Sequence, residues 1–351
     1  MASPLGPAAR KNRLESTLAA NARALGTTHA RYRDAFNRTM LLMTLHRAIE
    51  VGILEDYHLK GGAAIEVRHG FGARATLDVD IELPVPLAQL TTVFASAIGV
   101  GCGDFTFALR PEERPVREDA VSVSVVMRYL LRPWATISVD LAPAQPGNLA
   151  DSLPLLAVEF PDITGEVRTM KTEFQIAQKI HAVTTPDPAG HLLPYARHVV
   201  DILYLASTDV NPSVIGAACQ AVFDARSVHD GRSWPPPAIV LPERWIAEYG
   251  VTLEGYGMAL PPEGVPRAFL TLLATIVGGV VPMPGYEYQF VSLAAAALDQ
   301  AFGDAIETRG VQREHFNQLA ANGWRVCSMC PNPRGGAHVL VVLEREIAQP
   351  A

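Results

Sequence analysis

Cysteine is scarce in this sequence. Four residues in 351 are too few and too scattered for a disulfide framework, which points to a reducing compartment. Long apolar runs are missing as well. The longest, Ala268 to Met283, is broken by Gly278, Gly279 and Pro282 and is too short to span a bilayer. The opening, Met1-Ala-Ser-Pro-Leu-Gly-Pro-Ala-Ala-Arg-Lys, holds no apolar core followed by a cleavage site, so no targeting signal is read there. Charged residues make up only 19% and balance to −7. That acidity argues against a general nucleic-acid binder, whose affinity comes from neutralising phosphates, but it leaves room for a local basic groove. No repeat recurs at a fixed period. These absences predict a soluble, cytoplasmic protein with no membrane partner.

What the chain does have is core material. Nearly half of it, 49%, is hydrophobic, enough for two packed domains and a small third one. Residues 12–26 and 29–52 read as helices. The second carries Ala35, Phe36, Thr39, Leu42, Met43 and Ile49 on one face, with Arg31, Arg33, Arg38 and Arg47 off it. A short strand at 57–60 runs into Gly61-Gly62, and a helix from Ala63 to His69 stops at Gly70. Strands are predicted over 74–83, 105–110, 121–129 and 134–141. Helices follow at 171–184, 195–207, 213–226, 243–249 and 265–280, with a Pro-rich loop at 234–242. After a breaker-rich junction the pattern restarts, with strands at 286–292, 324–330 and 337–345 and a helix at 312–322.

The chemistry is concentrated in Arg74-Ala-Thr-Leu-Asp-Val-Asp-Ile-Glu-Leu83. On a strand, alternate residues share a face, so Arg74, Thr76, Asp78, Asp80 and Glu82 line one side. Two carboxylates at i and i+2 lie about 7 Å apart and can converge on one hard cation. Three acids on one face repel one another unless a cation is bound; the bland alternative is a strand with one solvated face. Upstream, Lys60-Gly61-Gly62 sits between a strand and a helix, where glycines let a phosphate approach the helix N-terminus.

Gly61-Gly62 followed by Asp78-x-Asp80 resembles the signature of the polymerase-beta-like nucleotidyltransferases. The resemblance implies that Lys60, Gly61, Gly62, Arg74 and Thr76 bind the triphosphate of an NTP. It also implies that Asp78 and Asp80 hold two Mg²⁺ (or Mn²⁺) ions, one activating the nucleophile and the other stabilising the leaving oxygens. Asp140 fits the third carboxylate; as residues alone it reads equally well as a strand-end Asp.

Further along, Glu173-Phe-Gln-Ile-Ala-Gln-Lys-Ile and Arg197-His-Val-Val-Asp-Ile-Leu resemble two later motifs of the AbiEii/MenT-type nucleotidyltransferase toxins. The likeness covers roughly residues 35–285, including Phe223, Arg226, Pro242 and Trp245. His198 departs from it, standing where the family has an Asp. The resemblance implies that Lys179 contacts phosphate and that Asp201 is a second essential acid. It further implies a tRNA 3′ end as acceptor and an AbiEi-type antitoxin as partner. Without it, Lys179 reads as part of a solvated face, and Arg197 and Asp201 as a surface i, i+4 pair.

The expected fold is α+β. Residues 1–150 would form the nucleotidyltransferase core with a mixed sheet, 151–284 a helical domain completing the active site, and 285–351 a small α/β domain. That last segment resembles a small bacterial domain family of unknown function, with Gly323 as helix stop and Trp324 as core anchor. Cys327-Ser-Met-Cys330 lacks the second pair that a structural zinc site needs. The alternatives are transfer to a small molecule or a protein hydroxyl, and a catalytically inactive binding module of the same fold.

Overall fold

The computed structural model describes residues 6–76, 78–117, 120–145, 150–154, 166–185, 195–208, 210–236, 241–278, 286–294, 320–322, 324–331 and 338–346. The chain divides into two compact units, Met1–Lys171 and Thr172–Ala351.

In the first unit, helices α1 (Pro7–Ala24) and α2 (His29–Glu50) precede strand β1 (His58–Lys60), helix α3 (Gly61–His69), strand β2 (Asp78–Leu83) and helix α4 (Leu90–Ile98). Strands β3 (Phe105–Arg117), β4 (Ala120–Tyr129), β5 (Arg132–Pro143), β6 (Ala150–Pro154) and β7 (Glu166–Met170) follow. They form one mixed sheet in the order β3-β4-β5-β2-β1-β7-β6. The β2–β5 and β1–β7 pairs are parallel and the others antiparallel. The core lies on one sheet face, where Val79, Ile81, Val123, Val125, Ile137 and Val139 meet Phe36, Leu41 and Phe94 from the helices.

Helix α2 is more deeply placed than its sequence predicts. From Ala35 to Leu45 every residue is buried, because α1, α4, β5 and β7 all pack around it. The predicted stripe holds at Ala35, Phe36, Thr39, Leu42 and Met43, while Ile49 is half-buried. Arg38, predicted off the apolar face, is instead buried at 6% exposure. The strand predicted over 74–83 begins only at Asp78; Arg74 to Thr76 run as a loop, whose Thr76 carbonyl is held by a side chain of α2. Helix α4 and strands β6 and β7 were not predicted. The first, Leu-Thr-Thr-Val-Phe-Ala-Ser-Ala-Ile, is short and β-branched, and the two strands are five residues each, too brief to show a period.

In the second unit, helices α5 (Thr172–Val183), α6 (Ala196–Ala206), α7 (Pro212–Asp230), α8 (Ile246–Tyr256) and α9 (Val265–Gly278) follow the predicted order. Asn211 caps α7 through its side chain, Pro212 opens it, and Gly231 in the left-handed region ends it. Strands β8 (Tyr286–Ala294), β9 (Arg325–Pro331) and β10 (His338–Glu346) make an antiparallel sheet in the order β8-β10-β9. Cys327 and Cys330 both fall within β9. The predicted helix at 312–322 lies largely outside the described residues, of which Ala320 and Ala321 are helical. Among the described residues no helix is long and apolar enough to cross a membrane.

Candidate active site

The parallel pairing of β2 with β5 sets the geometry of the first unit. Its register places Asp80 opposite Asp140 and Asp78 opposite Ser138. Directly opposed residues on adjacent strands point to the same face. Asp78, Asp80 and Asp140 therefore share one side of the sheet, while Val79, Val139 and Leu141 fill the core side at 0% exposure. The exposed Asp78 and half-buried Asp80 and Asp140 leave that side open. On the other flank β1 pairs antiparallel to β2, with Lys60 opposite Asp80.

The third acid of the strand is not left to repel its neighbours. Glu82, 1% exposed, receives the Lys60 amine at 2.9 Å. Sequence reasoning reserved Lys60 for the triphosphate; the structure engages it with Glu82.

Helix α3 begins at the edge of this carboxylate group. Gly61 has φ +66°, and a Cβ placed there would stand 1.9 Å from Asp80 Oδ2. Only glycine lets the carboxylate close onto the backbone at that point. Because Gly61 opens α3, the carboxylate lies beside the positive end of the helix dipole. A Cβ on Gly62 would lie 2.7 Å from Thr76 Oγ1 and 3.6 Å from Arg74 Nη2. The two glycines thus admit Asp80 and the Arg74–Thr76 loop to the start of α3, bringing Gly61, Gly62, Arg74, Thr76 and Asp80 together.

Sequence reasoning missed what holds that loop. Arg38 Nη1 donates to the Thr76 carbonyl at 2.8 Å, and its Nη2 pairs with Glu66 of α3. Arg31 Nη2 donates to the Phe71 carbonyl at 3.0 Å and also to the Ala73 carbonyl. Burial raises the Glu66 carboxyl above its ordinary range, with Arg38 and Arg31 pulling it down. The signal was in the sequence: Glu66 within Ala-Ala-Ile-Glu-Val is a charge that burial permits only when paired, and Arg38 stands just ahead of the run Thr-Met-Leu-Leu-Met.

In the second unit, the solvated-face reading of Lys179 is overturned. Lys179 is 7% exposed and Asp201 is 0%, with the amine 2.8 Å from Asp201 Oδ2. The other oxygen, Oδ1, accepts from the Tyr256 hydroxyl at 2.6 Å, and Tyr256 stacks on Tyr204 at 4.1 Å. Arg197 is exposed, so the surface pair with Asp201 is replaced by a buried one across α5 and α6. Tyr256, which sequence reasoning did not select, completes it from α8.

A second buried group closes the end of α5. His181 lies 2.9 Å from Asp230 Oδ2, with Arg226 and Arg232 within hydrogen-bond reach of its ring and Phe223 edge-on at 4.7 Å. Burial, followed by the charges of Arg226 and Arg232, pushes its pKa down to about 3; the imidazole is neutral at pH 7.

Among the described residues no group of three or more His, Cys, Asp or Glu side chains is placed to enclose a metal ion. The donor set nevertheless suits a hard divalent cation. Mg²⁺ is commonly held by one or two carboxylates completed by substrate phosphates, and Asp80 and Asp140 face the same side from adjacent strands.

Among solved structures, the chain is similar to MenT4, a nucleotidyltransferase toxin from Mycobacterium tuberculosis H37Rv. Identity is 19% over 74% of this chain and 89% of that one, with a TM-score of 0.49. It is also similar to the antibiotic-resistance factor ANT(2'')-Ia, at 16% identity over 56% of this chain and 96% of that one, with a TM-score of 0.33. No curated protein matches the chain. The family described as "Nucleotidyl transferase AbiEii toxin, Type IV TA system" matches residues 45–275, a span that takes in β1 through α8 and most of α9, with Asp78, Asp80, Asp140 and the Lys179–Asp201 pair. The chain belongs to this family of nucleotidyl transferase toxins.

Proposed function

We propose that the protein transfers a nucleotide from an NTP to an acceptor hydroxyl at the 3′ end of tRNA, with Mg²⁺ or Mn²⁺, and that an AbiEi-type antitoxin restrains it. The observation that carries the reading is the register pairing Asp80 with Asp140, two residues from Asp78, beside the Gly61-Gly62 start of α3. Asp78, Asp80 and Asp140 would hold the metal, which when bound lowers the pKa of the attacking hydroxyl and offsets charge on the triphosphate.

The chain's own part is positioning. The N-terminus of α3, with Arg74 and Thr76 beside it, offers backbone donors and positive charge to the phosphates. Arg38 holds that loop at Thr76 and Arg31 holds the turn before it at Phe71 and Ala73, so less ordering remains to be done on binding. The acceptor hydroxyl gives up its proton to solvent as its oxygen attacks the α-phosphorus, the bond from that phosphorus to the oxygen bridging it to the β-phosphorus breaks, and pyrophosphate leaves with that oxygen. Lys179, oriented by Asp201 and in turn Tyr256, is the proposed phosphate cation of the second unit, with Asp201 its essential acid.

The test is incubation with each radiolabelled NTP, Mg²⁺ and total tRNA. The expected product is labelled tRNA with release of pyrophosphate. Asp80→Asn and Asp140→Asn should lower turnover at least 100-fold, on the order of an electrostatic contact to the reacting group, without loss of fold by circular dichroism. Label on a small molecule or a protein would redirect the acceptor; full activity in both variants would remove the carboxylates from the mechanism.

A further inference from the structure

The carboxylate-bearing sheet face continues well past the carboxylates. By register and alternation, Ser138 and Thr136 of β5, Ser122 and Ser124 of β4, and Thr106 of β3 lie on the same side as Asp78 and Asp140. All five are half-buried or exposed, whereas their alternates Val123, Val125, Ile137 and Val139 are buried. Toward the far edge stand two exposed arginines, Arg110 on the edge strand β3 and Arg128 on β4 beside it. Arg110 donates to Thr136 Oγ1 at 3.4 Å, and among the described residues neither arginine forms an ion pair.

We propose that this face is the track on which a single-stranded RNA acceptor lies, its phosphates on Arg110 and Arg128 and its terminal hydroxyl at the carboxylate end. The proposal rests on the nucleotidyl-transfer reading and gives it a docking surface. Crossing from β2 to β3 covers three strand spacings, about 14 Å. That is room for about four phosphates at the 3.4 Å spacing of a stacked strand. Serine and threonine hydroxyls donate readily to phosphate oxygens.

The charge layout orients such a ligand. A polyanion is drawn to the arginine edge and repelled at the acidic edge, so only its terminus reaches Asp78 and Asp80, where a bound cation would receive it. A chain with a net charge of −7 can still hold RNA this way, because the field at the site governs binding. Among the described side chains this face carries no aromatic ring; Phe105, Phe107 and Tyr129 lie on the core side. Base stacking is therefore absent, and binding should be indifferent to sequence. A small-molecule acceptor would have no use for arginines two and three strands away.

The test is fluorescence anisotropy of the full chain with a labelled 12-nucleotide single-stranded RNA. Arg110→Glu with Arg128→Glu should weaken binding at least tenfold and reduce the salt slope by about 1.4, two contacts at about 0.7 each. Arg13→Glu with Arg23→Glu, the same charge change on two exposed positions of α1, should stay within threefold of wild type. The track is refuted if wild type fails to bind RNA, if the sheet variant binds as wild type does, or if the α1 variant loses as much. Thermal stabilisation by NTP with Mg²⁺ is read in parallel. If it is absent while RNA binding still depends on the two arginines, the transfer reading fails and the track survives.

Discussion

Lys179 and Asp201 form an ion pair with almost no water around it, and its removal should be felt first in folding. Lys179→Met leaves Asp201, at 0% exposure, without the counter-charge of the amine 2.8 Å away. Stranding one charge of a buried pair costs about 3–5 kcal/mol, which for a unit of this size lowers Tm by roughly 6–20 °C. Asp201→Asn strands the Lys179 amine in the same way, though a lysine can shed its proton to lessen the penalty. The double variant removes both charges while Asn still accepts from Tyr256, so it should recover much of the loss, with a coupling of about 2–3 kcal/mol. The assay is urea unfolding of the full chain, followed by circular dichroism, for all four members of the cycle. Single variants within about 0.5 kcal/mol of wild type, or strictly additive effects, would refute the reasoning, because a desolvated pair cannot behave so. The cycle also separates two causes that Lys179→Ala alone confounds. A double variant that is stable yet inactive assigns the pair to chemistry; one that is stable and active assigns it to structure.

Gly61→Ala should abolish turnover and destabilise the fold by at least the ~1–2 kcal/mol cost of a left-handed alanine, since its Cβ would displace the Asp80 carboxylate; Gly72→Ala, where a Cβ meets nothing within 4 Å, is the control in the same activity and melting assays. His181 titrates near 3 in the fold against an ordinary 6.5, so its stabilising effect is complete above pH 6.5 and lost as pH falls toward 3. Urea unfolding at pH 7 and pH 4 should show wild type losing on the order of a few kcal/mol more than His181→Gln. A chain truncated at Pro284 should fold by circular dichroism and retain NTP transfer; a well-folded but inactive product would place residues after 284 in the site or in acceptor binding.

The carboxylate face was legible because two-residue alternation is the one pattern a strand cannot disguise, and Asp78-Val-Asp80-Ile-Glu82 states it in five residues. Asp140 was legible only as a candidate, since register between strands some sixty residues apart leaves no local trace. Arg38 and Lys179 show the opposite failure. Arg38 was placed off the apolar face by helical period, and Lys179, without the resemblance, by the usual exposure of its residue type; each is buried because a partner on another element neutralises it: Glu66 for Arg38 and Asp201 for Lys179. The loop at Arg74–Thr76 was read as strand because its side chains alternate. What fixes the loop there is the hold of Arg38 of α2 on the Thr76 carbonyl, a tertiary cause.

The Asp80–Asp140 register has a consequence in time. The two carboxylates become neighbours only when β5 joins β2, after α4, β3 and β4 have been laid down between them. A chain leaving the ribosome one residue after another carries the glycine pair and the first two acids long before it can assemble the third beside them. On the proposed reading of the site this is a built-in delay: a product halted before residue 140 lacks the third carboxylate, and the Lys179–Asp201 pair is still to come.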